Sequence, residues 1–310
     1  MRHISIVVNK NWEVEPILAG LANGQFRPVE LPFPLVIKSN LSENFRVSAS
    51  PVNAKENARA IIVLKDGDKD VLTVKIWCIQ DFMDPKGSSS SSEEKERVLK
   101  PLLAAEAPEL VIAMGTAGYI SDNSYAGCVV FGGRFFVHDG DANNPKSHMV
   151  NSNFEKSMPI NVNANVFNVI SPGFKSKVEA KLLSPPYNPC IHRTCLASQY
   201  YTAVGSVNVT DYGKYAWVDA AAVTAFRQVE PNFPVGSLET THGVIRLCSE
   251  KPTIFISAIT DREGNFDMEV NAGQNYVCAF NAGIVLGQFL ADLNAMLIKT
   301  PTFDFAAIQS

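Results

Sequence analysis

Ile254-Phe-Ile-Ser-Ala-Ile-Thr-Asp261 is an apolar stretch, rich in β-branched residues, that ends on a carboxylate. Such residues pack well on a pleated surface, and a near-continuous apolar run of them fits a strand covered on both faces. Buried strands of that kind belong to α/β layers, which deliver functional side chains from their carboxyl ends, so the run places Asp261 where chemistry is usually done. Two other segments have related character. Val111-Ile-Ala-Met-Gly-Thr-Ala-Gly118 reads as a strand running into a small-residue turn, and Pro234-Val-Gly-Ser-Leu-Glu-Thr-Thr-His-Gly-Val-Ile245 sets Glu239 at the mouth of another apolar segment.

Strands and helices alternate over most of the chain. Strands are predicted at Ile4–Val8, Ala58–Leu64, Val71–Cys78, Leu110–Met114 and Thr202–Val209, with a polar Asp-Gly turn between the second and third. Helices are predicted at Glu13–Leu21, opened by Pro16 in its first turn, and at Val98–Ala107, Val218–Gln228, Glu239–Cys248 and Asn271–Ile298. Gly127–Phe131 and Arg134–Val137 read as a hairpin across Gly132-Gly133. Gly87 and the serines after it predict a flexible loop at 86–96 before a charged helix start. From Gly140 to Pro189 the chain is rich in Asn, Ser, Pro and Lys, which reads as an excursion over the surface with a partial helix at Lys175–Leu183. The expected fold is an α/β three-layer sandwich with a mixed, mostly parallel central sheet. It is expected to be one domain over residues 1–310, with a long insertion at about 140–200.

A chain of 310 residues that is 46% hydrophobic can bury a sizeable core. A net charge of −4 with no Lys/Arg-rich run argues against a nucleic-acid partner. No uninterrupted apolar run reaches the ~18 residues of a membrane span, and the opening residues lack the apolar core of a signal peptide. A soluble, cytoplasmic protein is expected, with small molecules or further copies of itself as partners. Cys128, Cys248 and Cys278 read as small buried hydrophobes, and Cys190 and Cys195 flank His192 without enough ligands for zinc. No metal and no cofactor is expected.

The candidate residues each admit an ordinary reading. Asp261 either caps the segment after its strand or serves as a general acid, a task suited to a carboxyl group enclosed by apolar walls. Glu239 is either a first-turn glutamate favoured by the helix dipole or a buried acid satisfied by sugar hydroxyls. Gly115-Thr-Ala-Gly118 is either a tight turn or a place where a ligand approaches the backbone. Glu13 and Glu15 are either solvated first-turn acids or a base at the lip of a site. His138-Asp-Gly-Asp141 reads as a turn with solvated acids, and His242 as a packed or hydrogen-bonded histidine.

Taken in order, Glu13, Gly115-Thr-Ala-Gly118, His138-Asp-Gly-Asp141, Leu238-Glu239 and Thr260-Asp261 resemble the nucleoside phosphorylase/nucleosidase superfamily, most closely its methylthioadenosine/S-adenosylhomocysteine nucleosidases. The resemblance covers roughly 1–21, 58–141 and 202–298. It implies a phosphorylase/hydrolase-like fold and hydrolysis of a purine nucleoside, adenine-type because position 261 is Asp. Asp261 would protonate purine N7, Glu239 would hold the ribose hydroxyls, and Glu13 would activate water, with Glu15 as its substitute. Gly115, Thr116, Ala117, Leu238 and Thr260 would line the substrate site, and family members are homo-oligomers, a dimer or trimer being implied here. Where the family has Glu-Met-Glu, this chain has Ser237-Leu238-Glu239.

Phosphorolytic relatives carry an arginine after the first strand and another before the small-residue turn. Here those places read Asn9-Lys10-Asn11-Trp12 and Ala113-Met114, which favours water over phosphate as nucleophile. Phosphorolysis stays as the alternative, with Arg134 or Arg193 as its cation. A non-catalytic storage protein of the same fold is the third possibility.

Overall fold

The structure is a computed structural model and describes residues 2–23, 36–38, 45–49, 58–83, 92–138, 164–206, 215–263 and 272–306. Among these residues the strands are β1 (Arg2–Val8), β2 (Val36–Lys38), β3 (Phe45–Ala49), β4 (Ala60–Asp66), β5 (Lys69–Cys78), β6 (Leu110–Tyr119), β7 (Val129–His138), β8 (Cys195–Ser206), β9 (Val235–Leu238) and β10 (Thr253–Arg262). They form one mixed sheet in the order β10-β7-β8-β9-β6-β1-β5-β4-β3-β2. β5, β1, β6 and β10 run parallel, and β4, β3 and β2 continue the sheet antiparallel beyond β5. β10 pairs with both β6 and β7, while β9 pairs with β8 and, through Leu238 opposite Gly118, with β6. Strands β6, β10, β7, β8 and β9 therefore close into a ring beside β1.

Alternation along the central strands creates the layers. Ile4, Ile6, Ile112, Met114, Ile254 and Ile256 join a core built with the N-terminal helix Asn11–Asn23 and the C-terminal helix Ala272–Lys299. Val7, Val111, Ala113, Phe255 and Ile259 enter a second core with Leu99 of helix Ser92–Glu106, Phe226 of helix Tyr215–Val229 and Ile245 of helix Thr240–Leu247. Each fully buried aliphatic side chain stabilises these layers by roughly 1.5–3 kcal/mol relative to its exposed state. Helix, sheet and helix form the expected three-layer sandwich.

The N- and C-terminal helices approach through glycines. A Cβ on Gly20 would stand 2.1 Å from the Phe280 carbonyl oxygen, and one on Gly283 2.1 Å from that of Ile17. This contact seats the helix whose first turn carries Glu13. The helix begins at Asn11, so Pro16 lies past its first turn. The C-terminal helix is long and apolar enough to cross a membrane by length and composition, which short uninterrupted runs did not reveal. Most of its apolar residues from Val277 to Leu297 are buried in the first core instead.

Several expectations change. The hairpin across Gly132-Gly133 does not form, because Val129–His138 is one strand whose register against β8 shifts between Gly132 and Arg134. Gly132 answers crowding rather than a turn: a Cβ there would meet the Phe255 ring at 2.4 Å and the Tyr201 carbonyl at 2.6 Å. Gly115–Gly118 is not a turn either, since β6 continues to Tyr119 with partners on both edges. Of the expected surface excursion, 140–163 lies outside the described residues. The remainder is no surface loop, because Val166, Val169, Phe174, Val178 and Leu182 are buried in the first core and Phe167 stacks 4.9 Å from Phe131. The expected helix at Lys175–Leu183 spans Phe174–Glu179. Of the loop at 86–96, residues up to 91 lie outside the described set and 92–96 are helical. The Asp-Gly turn is present, with Gly67 at φ +58° closing β4 onto β5.

Adding a methyl group at the helix contact should force the two helices apart. Gly20→Ala and Gly283→Ala are each expected to lower stability by about 1–3 kcal/mol in denaturant unfolding. Unchanged midpoints for both variants would contradict the close approach.

Candidate functional site

Strands β1, β6 and β10 are parallel neighbours, so their carboxyl ends share one edge of the sheet, and β9 delivers Leu238-Glu239 to the same edge. The meeting point is Gly118. It lies opposite Asp261 in the ladder with β10 and opposite Leu238 in the ladder with β9. A Cβ at Gly118 would sit 3.3 Å from Asp261 Oδ2 and 3.7 Å from Leu238 Cβ.

Asp261 is 7% exposed and lies in the strand itself, so it does not act as a helix cap. A register irregularity between Ile259 and Asp261 turns the strand end, as bulges beside functional sites commonly do. Thr260 Oγ1 donates to Asp261 Oδ1 at 2.6 Å and lies 3.3 Å from the Ala117 carbonyl. Gln274, buried in the first turn of the C-terminal helix, donates to the Thr260 carbonyl at 2.9 Å and fixes the strand end from the other side.

Glu13 is 3% exposed in the first turn of its helix. Its Oε1 accepts from the Thr116 backbone N–H at 2.8 Å and from Thr116 Oγ1 at 2.9 Å, and its Oε2 accepts from the Lys10 N–H at 2.9 Å. Gly115 admits it, since a Cβ there would lie 3.0 Å from Oε1. Burial pushes the Glu13 carboxyl up to about 7, the three hydrogen bonds oppose that rise, and the nearby Glu239 charge adds to it. Glu15 is only partly buried and lies near the Tyr276 hydroxyl. Of the two candidates, Glu13 is the one at the strand ends.

Glu239 occupies the N-cap of helix Thr240–Leu247, with extended backbone, and its Oε2 accepts from the His242 N–H at 2.6 Å. The capping role and proximity to the other acids coexist, because the cap bond uses one oxygen. His242 is fully enclosed, stacks on Phe255 and lies 3.2 Å from Ser257 Oγ, as a packed histidine does. Burial lowers its pKa, so its 3.9 Å approach to Glu239 is a contact with a neutral ring rather than an ion pair.

Two further ionisable groups belong to this cluster. Asp219, on helix Tyr215–Val229, is pushed up to about 7 by burial and then by Asp261, Glu263 and Glu239. Lys95, on helix Ser92–Glu106, is 4% exposed and donates to Thr241 Oγ1 at 2.8 Å. A lone carboxylate within the Ala-rich stretch Val218-Asp-Ala-Ala-Ala222 was a readable signal for Asp219. Lys95 had none, since Glu93-Glu-Lys-Glu96 reads as a solvated helix start.

Other candidates go elsewhere. Arg134 lies 3.1 Å from Glu230 and stacks on Phe233, and Arg193 donates to the Leu182 carbonyl. His138 is buried at the end of β7, and Asp139 to Asp141 lie outside the described residues. Cys128, Cys195, Cys248 and Cys278 are buried free thiols. Among the described residues no group of His, Cys, Asp and Glu side chains is arranged to hold a metal ion.

No family model and no curated protein sequence matches this chain. Solved structures do match it. A 5′-methylthioadenosine/S-adenosylhomocysteine nucleosidase from Colwellia psychrerythraea, in complex with adenine, aligns over 94% of this chain and 96% of its own with a TM-score of 0.52 at 12% identity. The nucleosidase of Neisseria meningitidis, in complex with methylthio-immucillin-A, aligns over 94% and 99% with a TM-score of 0.50 at 12% identity. The chain shares the fold of these nucleosidases, as its motifs implied.

Glu13 also makes stability depend on pH. Its pKa rises from 4.5 to about 7 on folding, so its contribution is complete below pH 4.5 and is lost as pH rises through 7. Relative to Glu13→Gln, the wild-type protein should lose about 3 kcal/mol of unfolding free energy between pH 4.5 and 7.5. Denaturant unfolding of both proteins across that range checks this, and a constant difference would contradict it.

Proposed function

We propose that this protein is a nucleosidase that hydrolyses the N-glycosidic bond of a purine nucleoside. The observation that carries the reading is the gathering of Glu13, Glu239 and Asp261 around the side-chain-poor end of β6. Its fold is shared with a nucleosidase whose structure contains adenine.

Breaking the bond between C1′ and N9 leaves electrons on the purine and positive charge on the sugar. Asp261 answers the first demand by giving its proton to N7 as the bond electrons move into the ring. Glu239 answers the second: its Oε1 carries no part of the cap bond and can accept from the ribose hydroxyls, while its charge favours the oxocarbenium-like sugar. Glu13 takes a proton from water as the water oxygen bonds to C1′. An ionised carboxylate offers about four acceptor positions, and three are filled by Thr116 and Lys10, so among the described residues one remains for the water. A carboxyl titrating at about 7 suits a base working near neutral pH. The products are free purine and free sugar, with Asp261 ionised and Glu13 protonated until solvent resets them.

Gly115, Thr116 and Ala117 form the floor, Thr260 orients Asp261, and Leu238 offers an apolar surface beside the sugar. The engagement of Arg134 with Glu230 and Phe233, and of Arg193 with a backbone carbonyl, supports water over phosphate as nucleophile. The preference for an adenine-type base rests on Asp at position 261.

Purine release from a ribonucleoside in phosphate-free buffer tests the assignment. Asp261→Asn should fold normally and turn over more than about a hundredfold slower, within the range that general acids contribute. A near-normal rate removes Asp261 as the acid. Glu239→Gln keeps an oxygen for the cap but loses the charge, so KM should rise and kcat should fall together. An unchanged ribonucleoside rate in that variant takes Glu239 out of the sugar site.

A further inference from the structure

Lys95 is an anomaly for a residue serving the fold alone. Its ammonium is buried, and among the described residues its hydrogen bond goes to one neutral oxygen, Thr241 Oγ1 at 2.8 Å. Thr241, itself fully buried, lies in the first turn of helix Thr240–Leu247, where the helix dipole disfavours a cation. An apolar side chain of similar length would fill the space between the two helices without the cost of desolvating a charge. The groups within electrostatic reach explain the choice. Glu239 is the strongest influence favouring the charged form, Glu13 adds to it, and Lys10 opposes. Burial draws the Lys95 ammonium down to about 8, which leaves it mainly charged at neutral pH.

That charge lies within reach of a cluster of carboxylates. The Glu239 charge acts on Glu13, and the charges of Asp261 and Glu239 act on Asp219, while His242, in contact with Glu239, is held neutral by burial. Arg246, at the other end of the same helix, donates to the Ser249 carbonyl. We propose that Lys95 is a positioning residue for the sugar site: clamped on Thr241, two residues past the Glu239 N-cap, its charge holds the Glu239 carboxylate aimed at the ribose hydroxyls. This rests on the nucleosidase reading above, in which Glu239 grips those hydroxyls.

The test compares Lys95→Met, Lys95→Gln and Lys95→Arg on a purine ribonucleoside and on its 2′,3′-dideoxy analogue, which gives Glu239 nothing to hold. Lys95→Met is expected to unfold at no lower temperature than wild type and to lose at least about tenfold in kcat/KM on the ribonucleoside, mostly through KM. On the dideoxy analogue the loss should stay within about twofold, and in a Glu239→Gln background Lys95→Met should add almost none. Lys95→Gln should show the same split between substrates, and Lys95→Arg should recover most of the activity. Equal losses on both substrates, or losses that multiply with Glu239→Gln, overturn the role of Lys95 while leaving the nucleosidase reading intact. A wild-type protein that cleaves neither compound overturns that reading and this role with it.

Discussion

Strand β6 is bordered by β1 and β9 on one edge and by β10 on the other, and near its end it carries two glycines where neighbouring strands would otherwise meet side chains. Everything at the candidate site follows from that deficit. Gly115 leaves the volume that the Glu13 carboxyl fills, and Gly118 leaves the gap between Asp261 and Leu238. Adjacent strands stand about 4.8 Å apart, so the backbones of β10 and β9 lie roughly 10 Å from each other across Gly118, with Asp261 and Leu238 projecting over that glycine. The ladders on both edges hold this arrangement more rigidly than a loop would.

The same arrangement concentrates charge where water is scarce. Glu13 and Asp219 are both pushed up to about 7, each by burial first and by neighbouring acids after it. A fold selected for stability alone would place apolar residues there, since burying carboxylates costs free energy unless they are bonded or neutralised. Hydrogen bonds from Thr116 and Lys10 to Glu13, from Thr260 to Asp261 and from His242 to Glu239 offset part of that cost. Raised carboxyl pKa values that cluster in this way are a mark of functional sites.

Much of this was legible in the residues. The β-branched run before Asp261 marked a buried strand with a carboxylate at its end, and Glu239 was correctly set at the start of a helix. Glycines misled where their cause was tertiary. Gly132-Gly133 and Gly115–Gly118 resemble turns locally, yet the first lies under Phe255 and the second between two strands, and neither neighbour is visible within a short window of sequence. The stretch around Phe174 looked like surface because its apolar residues are sparse, although those few pack into the main core against Phe131 and the C-terminal helix. Lys95 was hidden by its setting, because a lysine among glutamates signals solvent and only the packing of one helix on another shows it enclosed.

The central claim is that water attacks the sugar while a carboxylic acid frees the base. It is tested most directly by incubating the protein with a purine ribonucleoside in H₂¹⁸O containing inorganic phosphate, then analysing the released sugar by mass spectrometry. The account predicts purine release with ¹⁸O in a free sugar and no phosphate ester. Formation of a sugar 1-phosphate, or no purine release at all, would contradict it.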